Sequence, residues 1–256
     1  MLTVTNFSTF AVSLALALPA LAAGPQLVVD RGLPQANLND ASGSARSNVR
    51  WAVPNDGFLG DDFTIGAPGE KWVIDSIRTW TVPGVKGQDP LHLGDFYEDV
   101  RLYFGGSAGD LTPLVTARLN EGNDTVAGER VHISESSGAA TPLYDDFGRS
   151  LRVWQVEFSR LNLPVDGGVK YRFGVWGMGR AIPNSDGKTY MWFNHASNAA
   201  LSGAPQDGAD GVILQFDAVG RSAGELHAEG HGWDKPADIN VQVHAHRAAA
   251  GAGANQ

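Results

Sequence analysis

The sequence predicts an all-β protein, a two-sheet antiparallel β-sandwich with jelly-roll-like winding. Three observations predict it. After the first 23 residues no segment of ten keeps the 3.6-residue period of an amphipathic helix. Short runs rich in β-branched and aromatic residues alternate with period two instead. Clusters of Gly, Asp, Asn and Pro separate these runs, as turns and loops do.

Residues 1 to 23 carry no charge, run apolar from Phe10 to Ala22 and end in the small residues Ala20-Leu21-Ala22-Ala23. This pattern reads as a secretory signal peptide, which predicts a secreted (periplasmic or extracellular) mature protein. Interrupted by Pro19, the apolar run is shorter than the roughly 20 residues of a membrane span, and no second stretch of that length follows. Residues 24–247 then form a single β-sandwich domain, since all-β units of roughly 200 to 250 residues are common. The tail 248–256, rich in Ala and Gly, is expected to be disordered.

Within the domain, Leu27 to Val29 opens a first strand, residues 35–47 form a polar loop, and NVRWAV at 48–53 reads as a strand. The stretch from Gly60 to Trp80 reads as a hairpin: Phe63-Thr64-Ile65, then the turn residues Ala67-Pro68-Gly69, then a run beginning at Trp72. In that run Trp72 and Ile74 share one parity and Ile77 takes the other, which predicts a bulge near Asp75-Ser76. YEDVRLYF at 97–104 alternates, with Val100, Leu102 and Phe104 on one face. PLVTARL, ERVHIS, LRVWQVEF, VKYRFGVW, TYMWFNH, GVILQFDA and DINVQVHAH, starting at 113, 129, 151, 169, 189, 211 and 238, complete the predicted strands.

With no cysteine in the chain, disulfides, thiolate metal sites and cysteine nucleophiles are excluded, and packing must hold the fold. A net charge of −9 opposes binding to a phosphate backbone, so no nucleic acid is expected as a partner.

DDFT, WVIDSI and GWDKPADINVQV resemble the first and last strands of uncharacterised, jelly-roll-like β-sandwich modules found in exported bacterial proteins. Some of those modules accompany sorting tags. This chain departs from them by ending without an apolar helix and basic stop. The resemblance implies the fold and export and assigns no chemistry.

Four groups of residues are candidates for function. Gly105-Gly106-Ser107-Ala108-Gly109 fits the pattern of a nucleophile elbow, but a β-prone run with Pro113 stands where that motif needs a helix, so the glycines read as a turn. A structural calcium ion would take carboxylates of tight loops, with Asp62 and Asp238 as ligands. His244 and His246, two apart on a strand, project to one side, and with His227 or His231 they could hold zinc or copper. Trp176 with Arg172 on one strand, and Tyr190, Trp192 and Asn194 on another, pair aromatic faces with hydrogen-bonding groups, as a site for a polysaccharide or surface glycan would. The expectation is an exported, non-catalytic module that binds carbohydrate or takes part in cell-surface or matrix interactions. The alternative is a metal-binding protein or metal-dependent enzyme using the C-terminal histidines.

Overall fold

The computed structural model describes residues 24–31, 57–81, 92–123, 130–135, 153–197, 211–227 and 238–248. The expected signal peptide, the 35–47 loop, the 48–53 strand, His231 and residues 249–256 of the expected tail lie outside the described residues.

Most of the described residues form two six-stranded antiparallel sheets. The first runs β1 (Gln26–Arg31), β14 (Val241–Arg247), β3 (Lys71–Thr81), β7 (Trp154–Phe158), β6 (Val131–Glu135), with β8 (Leu163–Asp166) also paired to β3. The second runs β12 (Ser222–His227), β11 (Val212–Asp217), β2 (Gly57–Thr64), β9 (Lys170–Gly179), β4 (Tyr97–Gly105), β5 (Thr112–Arg118). A two-stranded pair joins β10 (Ala196–Ser197) to β13 (Asp238–Ile239). Among the described residues there is no α-helix, only a 3-10 turn at Leu93–Asp95, and no helix is long and apolar enough to cross a membrane.

Period-two alternation explains the core. Ile74, Ile77, Val156, Phe158, Val241 and Val243 project from the first sheet, and Leu59, Phe63, Val100, Leu102, Phe173 and Val175 from the second; all are buried in one cluster. The chain crosses between sheets repeatedly, with β1 in the first, β2 in the second, β3 in the first and β4 in the second.

That crossing corrects the expected hairpin. β2 and β3 do not pair with each other: β2 lies between β11 and β9, and β3 between β14 and the β7–β8 edge. The loop 65–70 is long enough to span the roughly 10 Å between sheets, which a two-residue hairpin turn is not. Glu70 N–H donates to Ala67 O at 3.1 Å, and Gly66 and Gly69 take positive φ, so the turn chemistry is real but serves an arch. Across it lies the β8–β9 turn, whose Gly168 N–H donates to Ile65 O and Gly167 N–H to Glu70 O.

The bulge falls where the parity change predicts it. His244 pairs with Ser76 and Ala245 with Ile74, leaving Asp75 as the extra residue. On the other edge of β3, β7 pairs with Ile77 to Thr81 and β8 with Lys71 to Ile74, while Leu161 N–H donates to Asp75 O at 3.0 Å between them. To follow the bulge the connecting chain bends at Arg160 and Asn162, both at positive φ.

TYMWFNH is not a strand. It is anchored by the isolated bridges Ala181↔Thr189 and Thr81↔Asn194; Tyr190, Trp192, Phe193, Asn194 and His195 are buried, while Thr189 and Met191 are exposed.

Candidate functional site

The outer face of the second sheet carries the most distinctive surface chemistry. On β9 the outward positions are Lys170, Arg172, Gly174, Trp176 and Met178; on β4 they are Asp99, Arg101 and Tyr103; on β2, Phe58, Gly60 and Asp62. Gly60 and Gly174 pair directly, and Gly174 also pairs with Tyr103. A Cβ at Gly174 would lie 2.4 Å from Phe58 Cε2, and one at Gly60 would lie 2.8 Å from Phe216 Cε2. The missing side chains therefore let aromatic rings lie down on the sheet. Phe58 stacks on Tyr103 with centroids 4.3 Å apart, on Phe216 at 5.4 Å and toward Trp176 at 6.4 Å. With Leu111 and Leu214 these rings make a second apolar cluster, and half-buried Trp176 packs at its margin.

Charged groups frame that cluster. Arg101 places its guanidinium 5.2 Å from the centroid of the Trp176 ring and holds Asp99 bidentately, Nε to Oδ1 at 3.0 Å and Nη2 to Oδ2 at 2.7 Å. The Asp99 hydrogen bond raises the pKa of Arg101, so this cation is fixed in charge and position. Lys170 Nζ lies 3.1 Å from Asp62 Oδ2. Arg172 sits across from Asp62 and Gly105, yet its Nε is buried without a hydrogen-bond partner and no acid among the described residues pairs with its guanidinium. A half-buried guanidinium of this kind is a ready donor to a ligand.

Tyr190, Trp192 and Asn194 are not on this face, nor on any surface: they are 8%, 4% and 1% exposed. Trp192 Nε1 donates to Asn194 Oδ1 at 3.0 Å, Asn194 Nδ2 donates to Leu59 O at 3.3 Å, and Tyr190 packs edge-on to Phe96 at 5.1 Å. A Cβ at Gly177 would lie 2.3 Å from Trp192 Cε3, so the indole fills space that this glycine leaves. These three residues are structural and cannot stack on a ligand, which corrects the expectation from alternation. Of the five proposed ligand contacts, Trp176 and Arg172 remain.

The candidate calcium ligands separate in the same way. Asp61 and Asp62 stand within β2, where neighbours face opposite sides. Asp62 turns outward to Lys170, while it is Asp61 that turns inward. Arg31 Nη1 lies 3.2 Å from Asp61 Oδ1, Arg31 Nη2 donates to Asp62 O at 2.6 Å, and Ile239 N–H donates to Asp61 Oδ2 at 2.6 Å. Asp238 accepts from Gly211 N–H at 3.0 Å. Arg31, Asp61 and Asp238 are all 0% exposed. Burial pushes the Asp61 carboxyl well above its ordinary range, Arg31 pulls it down and Asp238 pushes it up. Arg31 thus supplies the positive charge beside Asp61.

The histidines divide between sheets. His244 and His246 share the outer face of the first sheet, opposite buried Val241 and Val243, whereas His227 ends β12 in the second. His246 Nδ1 lies 2.6 Å from Asp75 Oδ2, and His244 Nδ1 lies 3.4 Å from Ser76 Oγ. An open depression of about 470 Å³ beside them is lined by Asp75, Ser76, Glu157, Arg160, Asn162 and His244, among others. This face is largely paired within itself. Across four strands Gln242 donates to Asp30, Arg78 donates to Gln242, and Arg78 donates to Glu157 at 2.8 Å. Among the described residues no group of three or more His, Asp or Glu side chains is placed to hold a metal ion. The Gly105 to Gly109 segment turns directly into strand β5, with Gly109 at positive φ, and no helix follows it.

Comparison with family models, curated proteins and solved structures finds no match for this chain.

Proposed function

We propose that this is an exported, non-catalytic β-sandwich module, jelly-roll-like in its winding, that binds a carbohydrate chain on the outer face of the second sheet. One observation carries the proposal. Half-exposed Trp176 borders a buried cluster of aromatic rings and is flanked on its own strand by Arg172, whose guanidinium has no acidic partner among the described residues. Sugar recognition needs this pairing of an apolar ring surface with a few oriented hydrogen-bond donors. The apolar leader at residues 1 to 23 supports export, and the successive crossings between sheets support the jelly-roll reading.

The test is affinity electrophoresis of the mature protein against a panel of soluble polysaccharides, repeated with Trp176→Ala. At least one polymer should retard the wild type, and the variant should run freely while keeping the wild-type circular dichroism spectrum. If no polymer retards the wild type, or if Trp176→Ala binds equally well, the face is not a carbohydrate platform.

A further inference from the structure

We infer that the outer face of the second sheet is selective for a polyanionic glycan, with Arg172 as the residue that reads its acidic groups; the inference rests on the reading of this face as a carbohydrate platform. The charge distribution carries it. Outward positions of β2, β9, β4 and β5 hold the cations Lys170, Arg172, Arg101 and Arg118 and the acids Asp62 and Asp99, with the exposed acid Glu98 at the β4 bulge. Around β9 the described residues thus carry one cation more than acids on a chain whose net charge is −9, while the exposed acid Glu225 stands apart on β12 at the far edge of the same face. Because screening confines surface fields to about 8 Å at physiological ionic strength, the local sign governs a ligand lying on the sheet.

The cations differ in what they can offer. Arg101 is committed to Asp99 and to the Trp176 ring, and Lys170 lies against Asp62. Among the described residues Arg172 has no such partner, and its planar fork matches a carboxylate or sulfate bidentately. Arg172 and Trp176 stand four residues apart on β9, about 13 Å by strand rise, with Gly174 between them. That separation exceeds one sugar ring. The ligand is therefore an extended chain lying along β9, with one ring beside Trp176 and an acidic group further along at Arg172.

The same mature protein would be titrated calorimetrically with polygalacturonate, dextran sulfate, uncharged dextran and single-stranded poly-dT. Expected is binding to a carboxylated or sulfated glycan that weakens with added salt, and the two polymers tell which acidic group is preferred. Arg172→Gln should lower that affinity about tenfold or more, since a charge-assisted hydrogen bond is lost. Arg172→Lys should recover part of it, which a merely structural role would not give. An uncharged polymer bound as tightly as the acidic ones, with Arg172→Gln silent and Trp176→Ala disabling, overturns the selectivity and leaves the platform standing. Binding to poly-dT but to no glycan, or to none of the four polymers, overturns the platform and the selectivity together.

Discussion

Arg31 shows how one buried residue shapes the pH response of the fold. It is fully buried against Asp61, whose carboxyl is raised chiefly by burial, while Asp238 adds a like charge from the other side. A carboxyl with a raised folded-state pKa holds its proton more tightly in the native state. Its contribution to stability is thus fully present in acid and is lost as pH rises through the folded value. Arg31 limits that loss by favouring the ionised form. Arg31→Met should cost about 3–5 kcal/mol near neutral pH, because it breaks the buried pair and removes the cation that favours the ionised form of Asp61. The cost should shrink in acid. Urea midpoints of both proteins at about pH 5 and about pH 8 check this, and an equal loss at both values would mean that Asp61 does not titrate between them.

At the scale of the element, β9 and β2 share one device: paired glycines that let aromatic rings lie on the sheet. Gly174→Ala would place a Cβ 2.4 Å from Phe58 Cε2 and 3.3 Å from the Leu59 carbonyl oxygen. Phe58 cannot retreat freely, because Tyr103 and Phe216 stack against it. The substitution should cost about 1–3 kcal/mol by overpacking and should also perturb the Trp176 face. Denaturant unfolding with tryptophan fluorescence reads both effects. A variant indistinguishable from wild type in both would show that the rings are not held over this glycine. β3 uses the opposite device, an extra residue. The bulge at Asp75 turns Ser76 and its successors by one step, so that Ile77 and Thr79 continue the inward face begun by Trp72 and Ile74.

For the whole molecule, the decisive feature is that strands from the two ends of the chain meet in one sheet. β14 lies between β1 and β3, and its Val241, Val243 and Ala245 are fully buried. The sandwich therefore closes only after residues more than 200 positions apart have paired, such as Gln242 with Asp30 at |i−j| = 212. Truncation after Asn240 should abolish cooperative unfolding, because it exposes the β1 and β3 edges together with the core beneath them. Far-UV circular dichroism through a thermal melt checks this. A truncated protein with a sharp transition near the wild-type midpoint would show that β14 is dispensable.

Much of the fold is legible in local pattern. The all-β class, most strand positions, the bulge near Asp75 and the common face of His244 and His246 follow from period-two alternation, since a strand's pleat fixes which side a residue faces relative to its neighbours. Alternation does not say which strand lies alongside, nor which of the two faces meets water. Gly60 to Trp80 has the turn chemistry of a hairpin, yet its strands join different sheets, because the length of a loop permits an arch and only the surrounding strands decide for it. Tyr190, Trp192 and Asn194 share a parity, but that side turned inward, where Gly177 makes room for Trp192. Asp61 and Asp62 are neighbours with opposite surroundings, one beside buried Arg31 and the other beside Lys170 on the outer face. The floor of Phe58, Tyr103 and Phe216 comes from three separate strands. Residues that meet only through long-range pairing leave no periodic signal in the chain, so the sequence determined the faces of most strands and the tertiary structure decided what each face touches.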